Sequence, residues 1–274
     1  MRAHRFAWVG KVVTTLVLIV IIVYAVFPIL WTLLNSFKDL KDIITPVPKI
    51  FFRPTLQNFR LVVKISDISH ALLRSLIISS SSVVLGFIFG TPFAFVIARY
   101  KFRGKDQLKF WIITLRMMPP VAAVFAFVYL WIRLGLMDTY FALIVTYLLI
   151  TIPTVIWLSI EPFRNVPIEV EEAAQLEGCS PARVFFNFAL PIAWPNLIGG
   201  VLFSFILVWN EYFLAFALTS RNMTMPVAVG AFTVVGMQID WGQVSASVIL
   251  LCIPPLVMAA LFRKSLAAYF VIKA

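Results

Sequence analysis

Six long stretches of apolar residues organise this sequence, and charge almost vanishes inside them. Five contain no charged residue, and the third is interrupted only by Arg116. A helix needs about 20 apolar residues to cross the hydrocarbon core of a bilayer, and each stretch is about that long. None alternates apolar and polar residues as a membrane β-strand does. The predicted spans are residues 12–34, 75–98, 110–132, 139–160, 190–210 and 241–262.

This pattern predicts an all-α polytopic membrane protein in which residues 1–274 form a single transmembrane domain. Hydrophobic residues make up 62% of the chain and charged residues 13%, whereas soluble domains are about half apolar and about a quarter charged. The formal charge of +11 would suit a nucleic-acid partner, but Lys and Arg gather at the ends of the spans. That placement is typical of membrane orientation and of contact with anionic lipids. Membrane lipids are therefore the expected partner, and nucleic acid is not.

The basic residues also predict the orientation of the spans, since loops rich in Lys and Arg stay in the cytoplasm. The loop Arg99–Lys109 is the strongest single indication of this kind. With six spans, both termini then lie in the cytoplasm. The first stretch is longer than the core of a signal peptide and lacks an Ala-x-Ala cleavage site, which indicates a retained first span.

The connection between the fourth and fifth spans, residues 161–190, carries an unusual acidic run. Pro167 suits the first turn of a helix, and the glutamates within residues 169–172 complement the positive end of a helix dipole. Gly178 is typical of the residue just past a helix end. The sequence predicts a short helix outside the membrane. The residues expected on one face of it, open to a partner, are Val170, Ala173, Ala174 and Glu177.

A second helix is predicted in the same loop. Ser180 and Pro181 suit an N-cap and a first helical position. This helix should run to about Phe188 and break before Pro191, because proline cannot continue the hydrogen-bond ladder. Short helices are marginal in water unless they dock on something. From these residues alone, a solvated loop and a docking element are both open.

Several motifs of catalysis and binding are absent from the sequence. No Gly-x-x-x-x-Gly-Lys-Ser/Thr phosphate loop is present, so ATP would have to be bound by another subunit. No His-Glu-x-x-His or paired-cysteine pattern indicates a metal, and Cys179 and Cys252 are too few for a disulfide framework. No acidic residue lies inside a predicted span, and Glu211 stands just past the end of one. This weighs against an ion-coupled carrier.

The third predicted span contains Arg116 followed by Met118, Pro119 and Pro120. A charge in hydrocarbon is costly, and the proline pair should kink the helix. This cluster could form a polar pathway or gate. Alternatively, Arg116 reaches the lipid headgroups beside an ordinary packing kink.

The fifth predicted span ends at Trp209 and Asn210, and Glu211 follows directly. Aromatic, amide and carboxylate groups suit sugar rings and hydroxyls, so these residues could line an outer mouth for a solute. An interfacial aromatic belt is the alternative interpretation.

The acidic loop contains Glu172-Ala173-Ala174, Gly178 and Leu190-Pro191 in that order. This arrangement resembles the EAA loop of carbohydrate-type ABC importer permeases, whose coupling helices sit in a cleft of the ATP-hydrolysing subunit. The resemblance implies that Glu172 makes the ionic contact there, that Ala173 and Ala174 form the close-packing surface, and that Gly178 is the hinge. An aspartate is more usual in the family at the position of Glu177. The residues implied to couple to the ATPase are Glu172, Ala173, Ala174, Glu177, Gly178, Pro181, Leu190 and Pro191.

The resemblance extends along essentially the whole chain and is closest to the smaller permease of the maltose-transporter type. Two places depart from the family. Arg74 stands where the family usually has Asn, and the ending after Phe270 is shorter than the usual glycine-rich tail. The other segments that resemble the family are Asn35-Ser-Phe-Lys38, Pro54-Thr-Leu-Gln-Asn-Phe59, Ala98-Arg-Tyr-Lys-Phe-Arg-Gly104, Met118-Pro-Pro120, Leu134-Gly-Leu-Met-Asp-Thr139 and Trp209-Asn-Glu-Tyr-Phe213.

The resemblance implies a type I ABC importer permease fold, with six transmembrane helices and cytoplasmic coupling helices between spans four and five. The expected function is that of a permease subunit in an ATP-driven, binding-protein-dependent importer of a sugar, oligosaccharide or polyol. The expected partners are two ATP-binding-cassette ATPase subunits, a second homologous permease and an extracytoplasmic solute-binding protein. The chain would bind no cofactor and would not itself be an enzyme, since ATP and Mg would sit on the ATPases.

The expected location is the inner (plasma) membrane of a prokaryote. Two other classes of function stay open on the residues alone. One is an ion-coupled secondary transporter, and the other is a non-transporting polytopic membrane enzyme or scaffold. The sequence does not identify the solute.

Overall fold

Helices form all the regular secondary structure in residues 2–65, 67–231 and 239–263, which the computed structural model describes. The chain ending after Phe270, noted above, lies outside the described residues. The first helices are α1 (Arg2–Ser36), α2 (Leu40–Ile43), α3 (Gln57–Ile65), α4 (Ile68–Arg99), α5 (Lys105–Met117) and α6 (Pro120–Arg133). They are followed by α7 (Tyr140–Arg164), α8 (Ile168–Leu176), α9 (Pro181–Val184), a π-helical segment (Phe185–Ala189), α10 (Leu190–Trp209), α11 (Phe213–Leu218), α12 (Met225–Ala231) and α13 (Trp241–Leu261).

Within the described residues, five helical stretches are long and apolar enough to cross a membrane, and α5 with α6 makes a sixth if that bent pair is one span. The five stretches overlap the first, second, fourth, fifth and sixth predicted spans, and the bent pair overlaps the third. The largest difference is in the fifth, which begins at Pro181 instead of residue 190. The predicted all-α polytopic fold is confirmed. The five stretches are Lys11–Ser36, Ile68–Arg99, Tyr140–Arg164, Pro181–Trp209 and Trp241–Leu261.

The third predicted span is bent by 85° between α5 and α6. Met118 and Pro119, which separate the two helices, both have extended backbone, with ψ of 125° and 131°. Residues that precede a proline favour this conformation. Neither Pro119 nor Pro120 has an N–H to donate, so the chain can leave the helix here at little cost in hydrogen bonds. The predicted kink is confirmed.

The described residues divide into two compact units. One lies within Met1–Ile68 and Val229–Leu251, and the other lies within Ser69–Ala228 and the described residues from Cys252 onward. The coupling loop and the pathway candidates all belong to the second unit.

In the first unit, the start of α3 packs against the end of α1. The Asn58 side-chain amide donates to the carbonyls of Ser36 and Lys38 at 3.0 and 2.8 Å. The rings of Phe37 and Phe59 lie 5.3 Å apart. Two of the segments that resemble the importer family, one ending the first span and one in the first loop, therefore contact each other directly.

In the second unit, α4 lies close against α7 along a row of small residues. The Ser82 hydroxyl is 3.4 Å from the carbonyl oxygen of Ile144. An added Cβ at Gly86 would lie 2.6 Å from Thr151 Oγ1, which is closer than real Cβ contacts. Helices in membranes approach most closely where small residues meet. The small residues of α4 that meet α7 in this way are Ser82, Gly86 and Gly90, and all three are buried.

An aromatic cluster lies where the C-terminal ends of α4 and α7 meet the π-helical segment. The ring of Phe95 on α4 is 5.5 Å from that of Phe163 on α7 and 5.2 Å from that of Phe185 in the π-helical segment. All three side chains are buried. The cluster thus joins three chain segments at the point where α4 ends and the acidic loop begins.

Replacing Gly86 by Ala should lower the free energy of unfolding by about 1–3 kcal/mol, because the added methyl group overpacks a tight helix contact. Equilibrium unfolding in detergent would measure the change. Ser80→Ala on the exposed side of the same helix is the matched control, and its effect should stay within about 0.5 kcal/mol. Equal stability of the two variants would contradict the close packing of α4 on α7.

Candidate coupling and pathway sites

The first helix of the acidic loop is α8 (Ile168–Leu176), and it ends in a glycine turn. Gly178 has a left-handed backbone with φ of +85°. The N–H of Cys179 donates to the carbonyl of Ala174, and the N–H of Gly178 donates to that of Gln175, both at 3.0 Å. These paired bonds form a Schellman motif, in which glycine is favoured because it has no Cβ. The predicted stop at Gly178 is confirmed.

The helix α8 has an inner side and an outer side. Glu171 is 3% exposed and Ala174 is 5% exposed, and their spacing of three residues places both on the inner side. The prediction that Ala174 belongs to an open face is therefore wrong, because this side chain packs within the chain itself. The residues that do form the exposed face include Glu172, Ala173, Leu176 and Glu177.

The second helix of the loop begins as predicted. Pro181 is its first residue, and the Ser180 hydroxyl accepts from the N–H of Arg183 at 3.4 Å. The prediction that this helix is separate is wrong. One continuous helix runs over Pro181–Trp209, so α9 is an extension of the fifth span.

The π-helical segment explains why no break occurs before Pro191. The N–H of Leu190 donates to the carbonyl of Phe185, five residues earlier. This wider turn carries the helix past a residue that has no N–H of its own. Leu190 is half-buried against the hydrophobic core that includes the aromatic cluster, whereas Pro181 and Pro191 are exposed.

A buried ion pair joins α8 to the end of α4. Arg99 Nε and Nη2 lie 2.8 and 2.7 Å from Glu171 Oε1. The two side chains are 12% and 4% exposed. Arg99 Nη2 also donates to the carbonyl of Val166, just ahead of α8. Removing one partner of a buried pair typically costs about 3–5 kcal/mol, whereas an exposed pair contributes about 0–1 kcal/mol.

Neither Arg99 nor Glu171 was predicted from the sequence to be a site residue. They are 72 residues apart in the chain. Each carries a charge that is common at its position, a basic residue at the end of a span and an acidic residue in a helix first turn. The sequence offers no signal that pairs them.

The pathway candidates of the third span lie on the surface of this chain. Arg116 is exposed, and its guanidinium carbon is 5.7 Å from the centre of the Phe203 ring, within range of a cation–π contact. Pro119 and Pro120 are exposed, and Met118 is half-buried. This placement is compatible with a pathway wall and with contact to lipid headgroups.

The candidates at the end of the fifth span have different surroundings. Trp209 is 1% exposed and stacks on Phe205 at 5.5 Å, so neither the outer-mouth nor the belt interpretation fits its buried indole. Glu211 accepts two N–H groups of α11 at 2.8 and 3.0 Å and the Tyr147 hydroxyl at 3.3 Å. It therefore acts as a helix cap. Asn210 is exposed.

A second polar centre, missed from the sequence, joins two loops at the opposite end of α7 from the acidic loop. Asp138 has a left-handed backbone with φ of 60°, a conformation that aspartate tolerates better than most residues. Its carboxylate accepts the N–H groups of Ser220, Arg221 and Asn222 at 3.0–3.1 Å and the Ser220 hydroxyl at 3.1 Å. One side chain thus shapes the segment that follows α11.

The same segment is also held by the start of α4. Arg74 Nε donates to the carbonyl of Met223 at 3.0 Å, and the next residue, Ser75, accepts the N–H of Met225 at 2.6 Å. Arg74 is the residue that departs from the usual Asn. In this chain its longer side chain reaches a backbone carbonyl of the segment held by Asp138.

Comparison with known proteins gives a family match and full-length relatives. Residues 82–267 match the family described as binding-protein-dependent transport system inner membrane component. A probable ABC transporter permease protein of Sinorhizobium fredii is 32% identical over 93% of this chain and 92% of its own length. A trehalose transport system permease protein of Mycobacterium tuberculosis is 29% identical over 89% of this chain and 90% of its own length. A trehalose/maltose transport system permease protein of Thermococcus litoralis is 29% identical, over 90% of each chain.

Solved structures agree on the fold. A chain of a bacterial ABC transporter involved in the import of the acidic polysaccharide alginate has a TM-score of 0.80 at 19% identity, covering 96% of this chain and 97% of its own. A chain of the MetNI methionine ABC transporter in an inward-facing conformation has a TM-score of 0.61 at 15% identity. The match covers 78% of this chain and 99% of that chain. At these identities the likeness concerns the fold alone, and it confirms the predicted type I architecture.

Acid should loosen the loop that Asp138 holds. Burial alone would raise the pKa of Asp138, but the N–H groups of Ser220, Arg221 and Asn222 and the Ser220 hydroxyl together hold it below its ordinary value. The stabilisation is therefore complete above the ordinary aspartate pKa and is lost as the pH falls through the lower folded-state pKa. Hydrogen exchange, corrected for intrinsic rates, should show protection of residues 220–222 falling with acidification.

Asp138→Asn should remove this pH dependence and lower the protection of the segment by about 2 kcal/mol, because it loses hydrogen bonds to a charged acceptor. Asp106→Asn is the matched control, since Asp106 is exposed at the start of α5 and pairs only with Lys109 in the described residues. Protection that is equal in Asp138→Asn and the parent chain would show that the carboxylate does not hold the loop.

Proposed function

This chain belongs to the family of binding-protein-dependent transport system inner membrane components, and from that membership we propose how it couples ATP hydrolysis to sugar import. It is a multi-pass membrane protein and the permease subunit of an ABC importer. The family works with ATPase subunits and a solute-binding protein. This chain's own contribution is the membrane pathway and the element that receives the movement of the ATPases.

The observation that carries the proposal is the exposed face of α8. Glu172 and Ala173 are exposed side by side, while Glu171 and Ala174 hold the helix to its own chain from the other side. A carboxylate next to a methyl side chain lets a partner approach closely and pair a basic group. In this proposal Glu172 makes the ionic contact with the ATPase, Ala173 gives the close-packed surface and Glu177 borders it.

The position of α8 supports a coupling role. It stands between α7, the fourth span, and the continuous helix that forms the fifth span. The exposed turn at Gly178 would act as the hinge, since an added Cβ there meets no atom within 4 Å. Movement of an ATPase would pass from α8 to Pro181, to Leu190 and Pro191, and so into the fifth span. The permease would then alternate between inward-open and outward-open states.

The proposed orientation is supported by the contact between Arg99 and Glu171. The Arg99–Glu171 pair places the basic loop that begins at Arg99 beside the coupling loop, so both lie at one end of the spans. Basic loops favour the cytoplasm. We therefore propose that the coupling loop is cytoplasmic and that the segment held by Asp138 lies on the outer side, facing the solute-binding protein. With six spans, both termini would then be cytoplasmic.

The solute is proposed to be a sugar, oligosaccharide or polyol. Two full-length relatives carry names for trehalose or trehalose/maltose transport, and their similarity extends over about nine-tenths of this chain. The complete transporter would contain two ATPase subunits, which bind ATP and Mg, and a second homologous permease. Arg116 at the bend of the third span and the exposed Asn210 are the proposed contributions of this chain to the pathway wall.

Replacing Glu172 by Arg should reduce solute uptake at least about tenfold, because reversing the charge of an interfacial ion pair typically costs about 2–5 kcal/mol of binding. The chain should still insert in the membrane. The measurements are co-purification of the ATPase subunits and uptake, into vesicles, of the solute that co-purifies with the cognate binding protein.

Glu161→Arg is the matched control, because Glu161 is exposed at the end of α7 and lies outside α8. It should keep uptake and ATPase binding. Normal uptake by the Glu172→Arg variant would contradict the coupling role. Uptake that survives ATP depletion and collapses with an ion gradient would indicate a secondary transporter instead.

A further inference from the structure

Arg99 holds α8 at two places. Its guanidinium contacts Glu171 in the first turn of the helix and the carbonyl of Val166 just before the helix. Glu171 and Val166 are 3% exposed each. Two contacts made by a planar guanidinium fix both the position and the direction of the start of α8.

The covalent connections of α8 lead to α7 and to the fifth span. Its C-terminal connection is the exposed turn at Gly178, where an added Cβ would meet no atom within 4 Å. Its N-terminal connection, residues 165–167, leads back to α7. The helices α4 and α8 are far apart in the chain, since Arg99 and Glu171 are separated by 72 positions. Any movement shared by α8 and the second span must therefore pass through non-covalent contacts.

The end of α4 is itself firmly held. Phe95, one turn before Arg99, is packed against Phe163 and Phe185 in the aromatic cluster. A displacement of α8 that left Arg99 behind would separate two buried opposite charges, which is strongly unfavourable. A displacement that carried Arg99 along would move the end of α4.

We infer that Arg99 is a positioning residue of the coupling machinery, and that its buried pair with Glu171 makes the coupling helix α8 and the second span α4 move as one body. The inference rests on the proposed function, because it assumes that ATPase subunits displace α8. It adds a non-covalent route into the second span to the covalent routes into the fourth and fifth spans. An ATPase movement would thereby reach three spans of this subunit at once.

The experiment measures distances between pairs of spin labels in the full transporter, assembled from this chain, its second permease and the ATPase subunits. The native Cys179 and Cys252 are first replaced by Ser. Labels on Ile168 of α8 and Val96 of α4, both exposed, report whether the two helices move together. Labels on Ile168 and Phe216 of α11 report whether α8 moves at all. Each pair is measured without nucleotide and after trapping with ADP and vanadate.

In the parent chain, the distance from Ile168 to Val96 should stay constant on trapping while the distance from Ile168 to Phe216 shifts. In Arg99→Gln, the Ile168 to Val96 distribution should broaden to about twice its width and shift on trapping, as expected when a shared two-state element is uncoupled. Co-purification of the ATPase should persist. A purely stabilising role for Arg99 would lower yield and thermal stability without making this distance respond to nucleotide.

Two further variants sharpen the result. The exchanged pair Arg99→Glu with Glu171→Arg should restore a narrow distribution, and Arg164→Gln, which removes the exposed pair with Glu161, should leave it as in the parent. An Arg99→Gln chain that keeps the parent's constant distance would overturn the inference, as would a parent distance that changes on trapping. If no ATPase co-purifies with the parent chain, it is the proposed function that fails.

Discussion

The absence of hydrogen-bond partners in hydrocarbon is the constraint on which this structure depends. Every backbone N–H and C=O of a span must bond within its own helix, so the chain crosses the membrane as helices and keeps its polar chemistry at their ends. Prolines lie at the two places where the regular helical hydrogen bonding changes. The third span turns through 85° at its prolines, and the π-helical segment carries the fifth span past Pro191. Between helices, close contact depends on small residues such as Gly86.

The polar groups at the two ends of the helices have different roles. At the proposed cytoplasmic end, Arg99 and Glu171 bury opposite charges and fix a short helix whose other side stays exposed. At the proposed outer end, the Asp138 carboxylate accepts three backbone N–H groups and fixes the segment after α11. At each end, a buried or hydrogen-bonded charge thus holds one chain segment in a defined place. A membrane subunit that must receive force on one side and solute on the other needs segments held in this way at both ends.

The sequence was informative wherever a local rule acts alone. Apolar length predicted the spans, Gly178 predicted the end of α8, and the proline pair predicted the bend at Met118. It was misleading where tertiary contacts decide. Ala174 faces inward because Glu171 on the same side is drawn to Arg99, and Trp209 is buried although its type favours interfaces. The pairs Arg99–Glu171 and Asp138 with residues 220–222 join positions more than 70 residues apart, which no local pattern can reveal.

The central claim is that the exposed face of α8 is the surface that an ATP-binding-cassette subunit binds. Leu176 is 90% exposed on that side and provides a direct probe. A photo-cross-linking amino acid at Leu176, in the transporter within its native membrane, should form a covalent adduct with the ATPase subunit. The same amino acid at Ile88, an exposed position inside the second span, should not. An adduct from Ile88 alone, or none from Leu176, would contradict the account.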